Sequence, residues 1–144
     1  MNKPDSEFIF IPLGGSNEIG MNLNLYGYNG KWMIADIGVM FGDDSTPGID
    51  VMMPDTSFIE KNRKDLVGIV LTHAHEDHMG AIPYLWTRLK CPVYCTPFTY
   101  SIVKRKLVDV GLAGKVPLKK IPLASSLELG PFSVSLLMAC STAS

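Results

Sequence analysis

Apolar positions fall into short alternating or continuous runs through the first half of the chain and into helically spaced sets further on. Glu7–Leu13 (EFIFIPL) reads as a strand closed by Gly14-Gly15. Asn22–Tyr28 (NLNLYGY) alternates polar and apolar residues, and Lys31–Asp36 (KWMIAD) is a second apolar run. Asn29-Gly30 between them suits the two positive-φ positions of a hairpin turn. Residues 41–58 carry Gly, Pro and Asp at turn frequency and read as an irregular loop. Val67–Thr72 is a short, apolar, β-branched run of the kind found in buried strands.

Helical spacing then takes over. Met79, Ile82, Leu85, Trp86 and Leu89 share one face of a helix whose first turn must hold Pro83, where a missing N–H does little harm. Pro92–Thr96 is the next strand. Phe98–Val110 is a second helix, with Ile102, Val103, Leu107 and Val110 inward, Lys104-Arg105-Lys106 outward and Gly111 as its cap. Lys120–Leu123, Leu127–Leu129 and Phe132–Met138 complete the pattern, with Gly130-Pro131 as a turn. The order β-β-β-loop-β-α-β-α-β-β-β predicts an α/β (α+β) fold, a mixed sheet covered by helices.

Composition changes this picture little. The chain has 144 residues, 47% hydrophobic and 19% charged, which suffices for one core and excludes wholesale disorder. No run approaches the roughly 18–20 apolar residues of a membrane span. The start, MNKPDSEFIF, lacks the basic-then-apolar plan of a signal peptide, so the expected compartment is the cytosol, with no membrane partner. Cys91, Cys95 and Cys140 are too few and too oddly spaced for a disulfide framework. Charge is segregated: residues 1–80 hold 12 acids and 5 bases, residues 81–144 hold 2 acids and 8 bases. An acidic half suits cations and a basic half suits polyanions.

The three histidines change it most. All lie within six residues, in Thr72-His73-Ala74-His75-Glu76-Asp77-His78, of the form H-x-H-x-D-H. Imidazole and carboxylate are the nitrogen and oxygen ligands of zinc and similar divalent ions. In extended backbone, residues two apart project to one side, so His73 and His75 can grip one ion. The turn into the following helix then lets Asp77 and His78 aim at a neighbouring point, as two-metal hydrolases require. The zincin pattern H-E-x-x-H fails here, because His75 and His78 are three apart rather than four. Asp36, after a buried run, either orients a ligating histidine from behind or forms a turn before Gly38. The loop Gly14–Gly20 either lines a site with backbone amides or is a tight turn.

With these residues in view, the chain resembles the metallo-β-lactamase fold superfamily and, within it, the ribonuclease J family of the β-CASP group. The resemblance runs from about Phe8 to Val134 and takes in Leu13-Gly14-Gly15 through Glu18-Ile19-Gly20, Asp36-Ile37-Gly38, and Gly48-Ile49-Asp50 with Met53-Pro54-Asp55. It continues through Leu71–His78, Gly80–Leu85 and Pro92-Val93-Tyr94. It implies the amino-terminal half of an αββα sandwich, with His73 and His75 on one metal, Asp77 and His78 on the other, and Asp36 supporting the loop. Two divalent ions, zinc or else manganese, would activate water beside Asp77 for hydrolysis of RNA phosphodiesters, endonucleolytically and from the 5′ end. RNA is then the partner.

The carboxyl terminus departs from that family. Its members follow the strand matching Phe132–Leu137 with Thr-His-Ser, whose histidine is a third ligand, whereas this chain reads Met138-Ala139-Cys140-Ser141-Thr142-Ala143-Ser144. Cys140 is a weak substitute in a terminal segment. The expectation is a partial metallo-β-lactamase domain over 1–138 and an atypical, truncated or frameshifted tail over 139–144. Impaired activity follows, as does self-association through exposed sheet. A small hydrolase of thioesters or lactones, and a non-catalytic metal-binding remnant, are the alternatives.

Overall fold

The structure is a computed structural model and describes residues 7–14, 21–41, 48 and 51–137. The expectations for Gly15–Gly20, for residues 42–47 and for the terminal segment with Cys140 lie outside the described residues. The elements in chain order are β1 (Ile9–Gly14), β2 (Leu23–Tyr28), β3 (Lys31–Ile37), β4 (Met40–Phe41), β5 (Val51–Met52) and α1 (Ser57–Lys61), then β6 (Leu66–Val70), α2 (Glu76–Met79) and α3 (Ile82–Leu89). β7 (Val93–Cys95), α4 (Pro97–Asp109), β8 (Leu118–Lys120), β9 (Ser126–Leu129) and β10 (Phe132–Ser135) follow.

The hairpin forms where the pattern puts it. Asn29 and Gly30 take φ of +51° and +76°, and Tyr28 pairs with Lys31 across the turn. From this hairpin a six-stranded sheet grows in the order β1-β2-β3-β6-β7-β8. β1 and β3 run antiparallel to β2, whereas β6, β7 and β8 continue from β3 in parallel, so the sheet is mixed as expected.

Alternation divides the core between the two faces. Leu25, Ile34, Ile69 and Val93, all fully buried, turn to the helices and meet Ile59, Leu85, Trp86, Val103 and Leu107. Each such aliphatic burial contributes roughly 1.5–3 kcal/mol. Met33 and Val70, their neighbours in sequence, turn to the opposite face, where Leu129, Phe132 and Leu136 of the β9–β10 hairpin cover them. Layers of helices, sheet and hairpin therefore stack in that order. Further along this second face Phe8 and Phe10 stay 58% and 49% exposed, their rings 5.8 and 5.1 Å from Tyr26.

Four expectations need correction. The single helix through Met79–Leu89 is two, α2 and α3, because the Ala81 amide donates to Ile37 O on β3 (3.1 Å) and leaves the helical ladder. Val110 is 48% exposed rather than inward. It caps α4, whose Gly111 and Leu112 amides turn back to Val108 O and Leu107 O. The strand at Lys120–Leu123 falls two residues earlier, because parallel pairing with β7 fixes it: Val93 N donates to Pro117 O, and Ile121 N to Cys95 O. Residues 41–58 are not wholly irregular, since Phe41 pairs with Val51 between β4 and β5, and α1 begins at Ser57.

Candidate metal centre

Parallel pairing of β3 and β6 places Ala35 opposite Val70. The next residues, Asp36 on one strand and Leu71-Thr72 on the other, therefore leave the sheet side by side at its carboxyl end. Open α/β sheets carry their sites there. The chain continues as His73-Ala74-His75 and enters α2 with His75 as its N-cap in extended backbone.

Main-chain bonds fasten this loop to the sheet. Asn22 donates to Asp77 O from its backbone N (3.1 Å) and from Nδ2 (2.8 Å), and Val39 N donates to Glu76 O (2.9 Å). Gly38 permits the approach: a Cβ there would lie 1.8 Å from Asp77 O. A salt bridge from Lys106 of α4 to Glu76 ties the outer side of the loop down.

Asp36 is the buried centre of the arrangement, 4% exposed and in the left-handed region at φ +67°, which Asp tolerates better than most residues. Its Oδ1 accepts from Thr72 N (2.7 Å), and its Oδ2 accepts from Thr72 Oγ1 (2.6 Å) and faces His78 Nδ1 (2.9 Å). Three partners satisfy a carboxylate that would be costly to bury alone. The hydrogen bond that His78 donates to Asp36 raises the imidazole above its ordinary 6.5, against the opposing pull of burial.

Proton accounting then fixes both rings. His78 Nδ1–H is spent on Asp36, which leaves Nε2 as its open nitrogen, 3.6 Å from Asp77 Oδ2. Thr72 spends its one hydroxyl proton on Asp36, so its oxygen can only accept at its other contact, His73 Nδ1 at 2.8 Å. His73 therefore carries its proton on Nδ1 and also presents Nε2. One buried carboxylate orients two histidines, one directly and one through a threonine.

Asp36, His73 and His78 offer ligand-type atoms that all lie within 4.8 Å of one another. Two imidazole nitrogens and carboxylate oxygen in that span fit a divalent cation by donor type. The His73 and His78 rings are 4.5 Å apart between centroids, and His73 and His75 stack at 6.1 Å. His75 and Asp77 lie on the same loop outside the 4.8 Å set. With its three bonds already made, Asp36 is better suited to orienting than to ligating, the first of the two roles its sequence position allows. Thr72 and Asn22 escaped the sequence reading. The signal for Thr72 is a hydroxyl directly before the first histidine, whereas Asn22 had none.

Residues 47–137 match the metallo-beta-lactamase superfamily, a span of more than half the chain. The chain is 42% identical over 134 residues to ribonuclease J of Sinorhizobium meliloti, a match covering 90% of this chain and 24% of that protein. It thus spans about a quarter of that relative's length. Among solved structures, the metallo-beta-lactamase GOB-18 from Elizabethkingia meningoseptica superposes with a TM-score of 0.56 at 20% identity, covering 95% of this chain and 53% of that one. Zn(2+)-bound PqqB from Methylobacterium extorquens gives 0.54 at 18% identity, covering 83% and 42%. The sheet layering, the H-x-H-x-D-H loop at its carboxyl end and these matches agree: the chain belongs to the metallo-beta-lactamase superfamily.

Proposed function

We propose that this chain is the metal-binding part of a ribonuclease of the ribonuclease J kind, a metal-dependent hydrolase of RNA phosphodiesters. The observation that carries the reading is the convergence of His73 and His78 on Asp36, within a chain 42% identical to ribonuclease J over nearly its whole length. His73 and His75 would hold one divalent ion, and Asp77 and His78 a second, zinc or manganese. When bound, such ions supply Lewis-acid polarisation of a phosphoryl oxygen and water acidic enough to ionise near neutral pH.

The chain's own residues do the rest. Asp36 keeps His78 and, through Thr72, His73 with Nε2 outward, so both rings meet a cation without a tautomer change. Asp77 is a half-exposed carboxylate that accepts the proton of the attacking water. The basic residues of the 81–144 half draw the polyanion toward the acidic half that holds the cations.

The test measures metal first and cleavage second. Native mass spectrometry should find zinc or manganese at near-stoichiometric occupancy, lost in the His73→Ala/His75→Ala double variant. Cleavage of 5′-monophosphorylated RNA should disappear in the same variant. Turnover of a thioester but not of RNA would replace this reading with the small-hydrolase one, and absence of metal would remove it.

A further inference from the structure

Residues 97–120, from α4 through β8, hold six Lys and Arg and a single acid, Asp109. Lys106 is paired with Glu76. Lys104, Lys119 and Lys120 are exposed, and among the described residues none of the three pairs with a carboxylate. Two of them gather on one ring: Lys120 Nζ lies 4.7 Å and Lys104 Nζ 5.9 Å from the centroid of Tyr100. Tyr100, on α4, packs partly against the core and so holds both at the seam between helix and strand. Like charges brought together without a counter-ion repel, and a bound anion removes that cost.

The seam lies at the same end of the sheet as the candidate metal centre. Val70 is in register with Tyr94 and Tyr94 with Lys119, so Lys119 stands two strands, about 10 Å, across from Val70. His73 follows three residues beyond Val70, at the carboxyl end of the same parallel strands. Lys120 turns to the helix side, onto Tyr100, and alternation sends Lys119 to the other face. The two lysines therefore straddle the outer edge of β8, the last strand of the sheet. Lysines on an edge strand also discourage pairing with a further strand. That accounts for Lys119 and Lys120, but not for Lys104, which joins them from a helix.

We propose that Lys104, Lys119 and Lys120 form a phosphate-backbone surface outside the metal centre, over which an RNA strand leads to the histidine loop. Three unneutralised cations match a polyanion whose charges recur along its length, and the neighbouring histidine loop favours a phosphodiester backbone over an acidic protein segment. This deepens the ribonuclease reading and rests on it for the choice of RNA, but the binding it asserts needs neither metal nor turnover. Each phosphate neutralised on a single strand contributes about 0.7 to the fall of log affinity with log salt. Three such contacts are therefore about 2 in slope, or about 100-fold in affinity between 1 M and 0.1 M salt.

Fluorescence anisotropy of a labelled oligouridylate, titrated in a chelator at several salt concentrations, reads the slope directly. The Lys104→Gln/Lys119→Gln/Lys120→Gln variant should lose about 2 in slope and bind about 100-fold more weakly at 0.1 M salt. Replacing the same three residues with Arg should preserve both. Lys61→Gln/Lys64→Gln/Lys90→Gln removes equal charge from exposed positions before β6 and β7, at the amino end of these strands, and should change the slope little. An abasic phosphodiester of equal length should show the same losses, since only backbone is contacted. Equal weakening by the two Gln variants, or an unchanged slope in the first, overturns the proposal. Loss of polyglutamate binding in the first variant with oligouridylate binding intact also overturns it and assigns the surface to an acidic protein segment. The two readings fail separately: missing metal or cleavage with the slope difference intact refutes the hydrolase, and the reverse refutes the surface.

Discussion

Thr72→Val isolates the contribution of one hydroxyl to the whole centre. Valine matches threonine in shape and keeps the backbone N–H that binds Asp36 Oδ1 at 2.7 Å. It deletes the 2.6 Å bond to Asp36 Oδ2 and the 2.8 Å contact to His73 Nδ1. A hydrogen bond to a charged group contributes about 1.5–3 kcal/mol, and the partly open position of Thr72 argues for the lower end. At roughly 3–4 °C per kcal/mol for a chain of this size, the metal-free melting temperature should fall by about 5 °C. The larger effect should be on metal. Without its acceptor, the His73 ring is free to rotate and change tautomer, and loss of such orienting partners typically costs about 10- to 100-fold in metal affinity. Competition for zinc against a chromophoric chelator at pH 7.5 measures this directly. Thr72→Ser, which retains the hydroxyl, should bind nearly as tightly as the unaltered chain. Combined with His73→Ala, Thr72→Val should add little, since both remove the same link. Equal zinc affinity in the valine and serine variants, or full additivity with His73→Ala, would refute the tautomer argument.

Three further outcomes are expected. Because the folded His78 pKa lies above 6.5, the Asp36–His78 pairing stabilises the metal-free chain below that pH and is lost as pH rises through the folded value. Thermal melts in a chelator should therefore decline from pH 5.5 to 8.5, and His78→Asn should flatten the decline. With zinc present the slope should reverse, since a cation binds neutral imidazole. Burial pushes the Cys91 and Cys95 thiols up to about 12, so peptide mapping after treatment with a thiol reagent at pH 8 should find both unmodified in the native chain and both labelled in denaturant. The open face around Phe8 and Phe10 should drive concentration-dependent association in sedimentation velocity, reduced in Phe10→Ser; a monomer at every concentration would contradict this.

Local chemistry was the part of the fold legible from sequence. Asn29-Gly30 specified a turn whose geometry needs no distant partner, and the cap at Gly111 closed α4 for the same reason. Whatever depended on remote pairing was not legible. The apolar spacing of Met79–Leu89 is continuous, yet the helix breaks because an amide at Ala81 is claimed by a strand 44 residues earlier. β8 starts at Leu118 because β7 sets its register, not because its own residues mark a boundary. The site divides in the same way. Four ligand-type residues in six announced themselves. The role of Asp36 rests on partners at 72 and 78, brought alongside only by the parallel pairing of β3 and β6.

The fastening of the histidine loop has one more consequence. Asp77 and Glu76 are held through their carbonyls, by donors on Asn22 and Val39, and Gly38 presents no side chain to them. At Glu76 and Asp77 the loop is gripped by its main-chain carbonyls, so the path there does not depend on the side chains that residues 75 and 77 carry, while Thr72, Glu76 and His78 add side-chain ties of their own. Exchanging the donor at 75 or 77 should alter which cation the loop prefers without displacing the frame that presents it. The arrangement works as a socket whose contacts are replaceable, and a fold built this way can change its chemistry one side chain at a time.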